Sequence, residues 1–297
     1  MEPILAELKK GILSNWNCLK LKKLKDILYG VSVESVKGST NIDVHAVEFD
    51  SRNITPGSLF VAQKGLIVDG HTFITGAISD GALVIVCQDF PTETPEGVTF
   101  VQVDDANEAL AILASNFYDN PSAELILVGV TGTNGKTTIA TLLAAQFQKA
   151  GCKSGLISTI KIMIGDKDIP ATHTTPDSLT INKVLREMVE QGVSHCFMEV
   201  SSHGIHQSRT EALEFDGGVF TNLTRDHLDY HENFKKYLTV KKRFFDQLPG
   251  DAFALVNGDD KNGKVMLQNC QAEPHTYSLR SLCEFRGRIN EMHLDGS

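Results

Sequence analysis

No Cys-x-x-Cys pair occurs in the sequence: Cys18, Cys87, Cys152, Cys196, Cys270 and Cys283 are scattered over 297 residues. That scatter disfavours a zinc site and a disulfide framework alike, and a reducing cytoplasm is the simplest setting. A basic excess is also missing. The formal charge of −9 argues against nonspecific nucleic-acid binding, because such surfaces displace counterions from phosphates with surplus Lys and Arg. Lys9, Lys10, Lys20, Lys22, Lys23 and Lys25 interrupt the apolar runs near the amino terminus, so neither a signal peptide nor a membrane span can be drawn. There is no GxSxG elbow beside the string Ser201-Ser202-His203, no internal repeat and no low-complexity tract. What remains is 41% hydrophobic and 22% charged, an ordinary composition for a soluble chain of about two domains.

The most informative stretch is Glu124 to Ala150, ELILVGVTGTNGKTTIATLLAAQFQKA. Leu125 to Val130 predicts a strand buried on both faces. Lys136 to Ala150 predicts a helix, with Ile139, Leu142, Leu143, Phe147 and Ala150 near helical spacing and Gly151 as a stop. The turn from Thr131 to Gly135 then faces the helix amino end, whose unpaired N–H groups carry about half a positive charge. Gly132 and Gly135 leave room for a phosphate, and Lys136 adds a full charge. Gly132, Thr133, Asn134, Gly135, Lys136, Thr137 and Thr138 therefore make a candidate nucleoside-triphosphate loop, with the Thr137 hydroxyl available to magnesium. One departure stands out: the general phosphate-loop pattern has a glycine where this chain has Val130, flanked by Gly129 and Gly132. The bland alternative is a glycine-bearing strand-to-helix turn with an exposed lysine.

In chain order, residues 1 to about 30 predict one or two amphipathic helical pieces. From Val44 to Asp89 short strands and turns alternate, and a strand at Val98 to Val103 with a helix at Ala106 to Tyr118 completes a small α/β unit. Asn120-Pro121-Ser122 reads as a linker. The expected division is an extension over 1–20, a first domain over 21–120 and a second over 121–297. The second continues with SGLIST, a hairpin IKIMIGDKDIP, a helix near Ser178 to Gln191, a buried strand His195 to Val200 and the strand GGVFTNL. The fold class expected is α/β, a small α/β domain followed by a mostly parallel phosphate-loop ATPase-type domain. Glu199 ends a strand there, and in open parallel sheets ligands gather beyond the carboxyl ends of strands.

The helix expected from about Glu232 to Leu248 puts Phe234, Leu238, Phe245 and Leu248 on a four-three stripe whose remaining central position is Lys241. Burial without a partner disfavours an ammonium and lowers its pKa from about 10.4. Lys241 is then paired, snorkelling or chemically altered. A neutral amine reacts with carbon dioxide, and the resulting carbamate is a carboxylate-like metal ligand.

The strings VGVTGTNGKTT, THTTPDS, MEVSSHG, FTNLTRDHLDYH and YLTVKKRFFDQL, in this order and spacing, resemble the Mur ligases of bacterial peptidoglycan synthesis. FDSRNITPGSLFVAQKG resembles the uridine-binding domain of that family, so the match covers about residues 21–297. The resemblance implies that Lys136 holds ATP phosphates and that Thr137 and Glu199 serve Mg2+. It makes His227 the family's second metal ligand and Lys241 a further one as N6-carboxylysine, with Lys136, Lys241 and His227 as the catalytic set. Thr174, Thr175, Ser201, Gln207 and Arg209 fall on positions that bind the muramoyl dipeptide, and Arg209 suits a bidentate grip on a carboxylate. Ser51 matches a uridine contact, whereas Leu66, Ile67 and Val68 stand where some relatives carry polar residues.

The implied partners are ATP, UDP-N-acetylmuramoyl-L-alanyl-D-glutamate and a diamino acid, either meso-diaminopimelate or L-lysine, with no nucleic acid and no membrane. The implied reaction is formation of an acyl phosphate followed by amide formation in the cytoplasm. Family members continue into a third domain that closes over ATP. A fragment inactive alone in ligation is the corresponding expectation. Beside these readings stand simpler ones: Glu199 as a strand-end acid, His227 as a loop histidine satisfied by Asp226 or Asp229, and the threonine pair as a helix-entry cap. For the whole chain the alternatives are a noncatalytic nucleotide-sugar binding module, or a phosphate-loop NTPase or kinase of another family.

Overall fold

The computed structural model describes residues 21–65, 68–224, 230 and 233–290. Two compact units divide the chain, Met1–Phe117 and Tyr118–Ser297. In the first, β1 (Lys22–Lys23), β2 (Val33–Lys37), β3 (Asp43–Val44), β4 (Ala46–Glu48), β5 (Ser58–Ala62), β6 (Val84–Cys87) and β7 (Thr99–Val103) alternate with α1 (Leu24–Ile27), α2 (Ile74–Ser79) and α3 (Ala106–Phe117). β4, β5, β6 and β7 pair in parallel, β2 closes the β7 edge antiparallel, and β1 pairs with β3.

Every residue of β5 and β6 is buried, as their unbroken apolar runs require when both faces of a parallel sheet are covered. β2 has no such signal, because four of its five residues are exposed. Of the helical pieces expected near the amino terminus, the described part is α1, one turn that buries Leu24 and Ile27; residues 1–20 lie outside the described residues.

The second unit is built on one nine-stranded sheet. Its strands are β8 (Ile126–Thr131), β9 (Ser154–Ile157), β10 (Lys161–Ile164), β11 (Lys167–Pro170), β12 (His195–Glu199), β13 (Gly217–Phe220), β14 (Phe253–Asn257), β15 (Glu273–Ser278) and β16 (Phe285–Arg286). The order across the sheet is β11-β10-β9-β12-β8-β13-β14-β15-β16. The β10–β11 hairpin is antiparallel at one edge, and every pairing from β9 to β16 is parallel. Around it lie α4 (Lys136–Lys149), α5 (Ser178–Glu190), α6 (Ser202–His206) and α7 (Phe234–Asp246). Among the described residues no helix is long and apolar enough to cross a membrane.

The seam of α4 differs from the spacing-based expectation. Ala140 and Ala144 are its buried residues, Ile139, Leu143 and Phe147 flank them, Ala150 falls after the helix, and Leu142 is 54% exposed. Two alanines let the helix backbone approach the sheet, and Leu142, two residues from each, falls on the opposite face of the helix. A similar close contact explains Gly129 on β8, where an added Cβ would lie 2.5 Å from the Phe244 ring of α7. Gly129 serves packing.

Asp177 caps α5 by accepting the Thr180 N–H, and Ile181, Leu185 and Met188 are buried beneath it. The other side of α5 carries Arg186, which donates to the carbonyls of Tyr118 and Asp119 at 2.8 and 2.9 Å and pairs with Glu124. One guanidinium thus holds the turn at Asp119 and Asn120, both in the left-handed region at φ 62 and 47°. Arg186→Ala is expected to cost about 3 kcal/mol, since carbonyls that bonded a charged donor lose it. Urea unfolding would report this, and a loss under about 1 kcal/mol would mean that water replaces the side chain.

Candidate functional site

β8 is where the strand order reverses, because the chain places β9 and β12 on one side of it and β13 and β14 on the other. Crevices at such reversals collect ligands beyond the carboxyl ends of the strands. Three adjacent strands end together here: Glu199 of β12 is in register with Val130 of β8, and Phe220 of β13 with Thr131. Neighbouring strands lie about 5 Å apart, so Glu199 flanks the root of the Gly132–Gly135 loop.

The loop is shaped by the segment after β13. Thr133 N–H donates to Asn222 O at 2.8 Å, and Asn134 N–H donates to Asn222 Oδ1 at 3.1 Å. Thr221 Oγ1 donates to Asn134 O at 2.6 Å, and Thr224 N–H to Thr133 Oγ1 at 3.0 Å. Only glycine fits at 132, where φ is +145° and an added Cβ would stand 2.0 Å from Thr221 Oγ1. Gly135 serves a different need, a φ of +85° at the entry to α4. Lys136 Nζ folds over the loop, donating to Gly132 O at 3.1 Å and Thr133 O at 2.8 Å. Thr137 and Thr138 follow in the first turn of α4, half-buried and exposed respectively.

α7 brings Lys241 to the same loop. Its buried seam is Tyr237, Lys241, Phe244 and Phe245, with Phe234 and Leu238 half-buried beside it and Leu248 buried just after the helix ends. Lys241 is 1% exposed, its Nζ donates to Gly132 O at 2.9 Å, and the Tyr237 ring lies 5.0 Å from it. Lys241 is thus buried, with the Gly132 carbonyl as a hydrogen-bond partner.

Glu199 is fully buried. Its Oε1 accepts Thr159 N–H at 2.7 Å and Thr159 Oγ1 at 3.1 Å, while Oε2 has no hydrogen-bond partner among the described residues. A buried carboxylate oxygen without a donor is costly. A hard divalent cation would relieve it, and a carboxylate with nearby hydroxyls is a donor set that suits Mg2+. Among the described residues no three His, Cys, Asp or Glu side chains converge on a metal-sized point. His227, Asp226 and Asp229 lie outside the described residues.

The remaining candidates run from Glu199 along one hydrogen-bonded path. Buried Thr175 donates through Oγ1 to Glu199 O at 2.8 Å and accepts Ser201 N–H at 3.0 Å. Thr174 Oγ1 lies 3.1 Å from Thr159 Oγ1. Ser201 caps α6 by accepting Gly204 N–H at 3.1 Å, and Gly204 has no room for a Cβ against Thr175. Arg209 donates to Thr175 O at 2.7 Å and twice to Gln207 Oε1, at 2.7 and 3.1 Å. Burial lowers the Arg209 pKa from its ordinary value, against the opposing fields of Asp177 and Tyr230. Gln207 Nε2 also donates to Tyr230 OH at 3.2 Å.

Ser51 belongs to the first unit, where it opens a 3-10 turn capped by Asp50. Sequence reasoning missed Thr159, Thr221 and Asn222. Thr159 was the findable one, since it follows β9 at the same carboxyl edge that singled out Glu199.

Comparison with known proteins bears on this arrangement. The Mur ligase middle domain matches residues 130–296, and the Mur ligase family catalytic domain matches residues 43–118. A protein of Cytophaga hutchinsonii named UDP-N-acetylmuramoyl-L-alanyl-D-glutamate--2,6-diaminopimelate ligase is 52% identical over 275 residues, which are 92% of this chain and 57% of that protein. Its namesake in Bacteroides fragilis is 51% identical over 274 residues, 92% of this chain and 56% of its own length. The chain thus spans somewhat over half the length of these curated relatives. A solved structure of a ligase of the same name shares the fold, with a TM-score of 0.78 at 23% identity over 93% of this chain and 56% of that one. Since the middle-domain match alone takes in more than half of the residues, including the loop, Glu199 and Lys241, the chain belongs to the Mur ligase family.

Proposed function

We propose that this chain carries the uridine-binding and ATP-binding parts of an ATP-dependent amide-forming ligase of peptidoglycan precursor synthesis. The acceptor is UDP-N-acetylmuramoyl-L-alanyl-D-glutamate, and the names of the relatives favour 2,6-diaminopimelate over L-lysine as the residue added. One observation carries the reading: Glu199 flanks the phosphate loop with one carboxylate oxygen unpartnered among the described residues, while its backbone carbonyl holds Thr175. Triphosphate and acceptor positions meet at a single residue.

In this reading the D-glutamyl carboxylate attacks the γ-phosphorus of ATP, ADP leaves, and an acyl phosphate forms. The amine of the diamino acid then attacks the acyl carbon, phosphate departs, and the nitrogen releases a proton as the amide forms. Lys136 exchanges its loop carbonyls for phosphate oxygens and stabilises the charge that builds there. Arg209 exchanges Gln207 for a substrate carboxylate, a contact suited to its planar fork. Thr174, Thr175, Ser201 and Gln207 line the acceptor, and Ser51 serves the uridine.

Thr137, Glu199, His227 and Lys241 would hold Mg2+, which supplies charge neutralisation between the phosphate oxygens. For Lys241 this requires loss of a proton, addition of the neutral amine to CO2 and release of a second proton as the carbamate forms. A cytoplasmic location goes with this reading.

Calorimetric titration of the chain with UDP-N-acetylmuramoyl-L-alanyl-D-glutamate in Mg2+ tests the acceptor assignment, with UDP as control. The expected result is saturable binding stronger than UDP, and bicarbonate is expected to strengthen MgATP binding through Lys241. A folded chain that binds the acceptor no better than UDP would refute the assignment of Thr175 and Arg209.

A further inference from the structure

Both contacts that the described residues make to the Glu199 carboxylate fall on one oxygen, and both come from Thr159. The backbone N–H of Thr159 donates to Oε1 at 2.7 Å and its hydroxyl reaches the same atom at 3.1 Å. This double hold fixes the rotation of a fully buried side chain and leaves Oε2 as the available ligand atom. The same hydroxyl lies 3.1 Å from Thr174 Oγ1. A hydroxyl carries one proton. Thr159 can donate it to Glu199 or to Thr174, not to both at once.

We propose that Thr159 is a positioning residue that presents Glu199 Oε2 to the divalent cation accompanying the nucleotide. The proposal rests on the ligase reading given above. With a cation on Oε2 the Thr159 hydroxyl stays on Oε1, so the carboxylate keeps the rotation that the cation needs.

The test uses the chain with a non-hydrolysable ATP analogue and Mn2+ followed by electron paramagnetic resonance. Thr159→Val keeps the backbone N–H and the branched shape but removes the hydroxyl, whereas Thr159→Ser restores it. In the presence of the nucleotide, Thr159→Val is expected to need about tenfold more Mn2+ for half-saturation, the usual worth of a hydrogen bond to a charged group. Thr159→Ser is expected to stay within about threefold of wild type. Nucleotide affinity measured without metal is expected to be equal in all three. Wild-type Mn2+ uptake by Thr159→Val, or an equal loss of metal-free nucleotide binding, overturns the proposal. Failure of the wild-type chain to bind nucleotide at all would instead overturn the ligase reading on which it stands.

Discussion

Lys136→Ala is expected to abolish measurable MgATP binding by the chain while lowering its thermal midpoint by no more than about 4 °C. The Lys136 ammonium donates to two carbonyls of its own loop, Gly132 O and Thr133 O. These are charge-assisted bonds, but Lys136 is half-buried and water can take over its two carbonyls, which leaves about 1 kcal/mol each in net stability, so folding depends little on them. Phosphate binding depends on the full charge, because the helix end alone offers about half a unit. In a ligase holding this loop, loss of one preorganised donor to the transferring phosphoryl group is expected to slow acyl-phosphate formation about 10²- to 10³-fold. Calorimetry with MgATP and a thermal melt decide the matter together. A folded Lys136→Ala chain with wild-type affinity would mean that the loop does not receive the triphosphate.

Gly132→Ala is expected to cost about 3–4 kcal/mol in urea unfolding and to abolish MgATP binding as well. An added Cβ would stand 2.0 Å from Thr221 Oγ1 and 3.0 Å from Asn222 O, and φ is +145°. Backbone strain of this kind costs of order 1–3 kcal/mol. Relief of the clash must also move Thr221 and Asn222, the residues that tie Thr133 and Asn134 in place. Gly151→Ala is the internal control. There φ is +89° but nothing lies within 4 Å of the added Cβ, so only the backbone term of about 1–2 kcal/mol is expected. Equal losses at the two positions would show that Thr221 turns aside without cost and that the loop tolerates a side chain.

The contrast between these two glycines shows how far a sequence can be read. Both are legible as turn residues from the helix boundaries beside them. Nothing near Gly132 in the sequence announces that Thr221 will press on it, since that contact forms only when β8 and β13 pair in parallel. The glycine beside Val130 has the same kind of reason. Gly129 is required by Phe244 of α7, a residue more than a hundred positions later. β2, β15 and β16 were not legible either, because exposed or half-buried strands at or beside a sheet edge carry little apolar periodicity.

By itself the sequence determined the strand-turn-helix order of the loop, the hairpin at IKIMIGDKDIP, the buried strand ending at Glu199 and the burial of Lys241 on its helix. Each of these is written in the spacing of neighbouring side chains, which reports local geometry and which face is covered. Only the tertiary structure decided what each group meets. Lys241 reaches Gly132 across 109 residues, and Thr159 reaches Glu199 across 40. Periodicity records that a side chain is buried, whereas the identity of its partner is set by the strand order, which brings distant segments to one edge of the sheet.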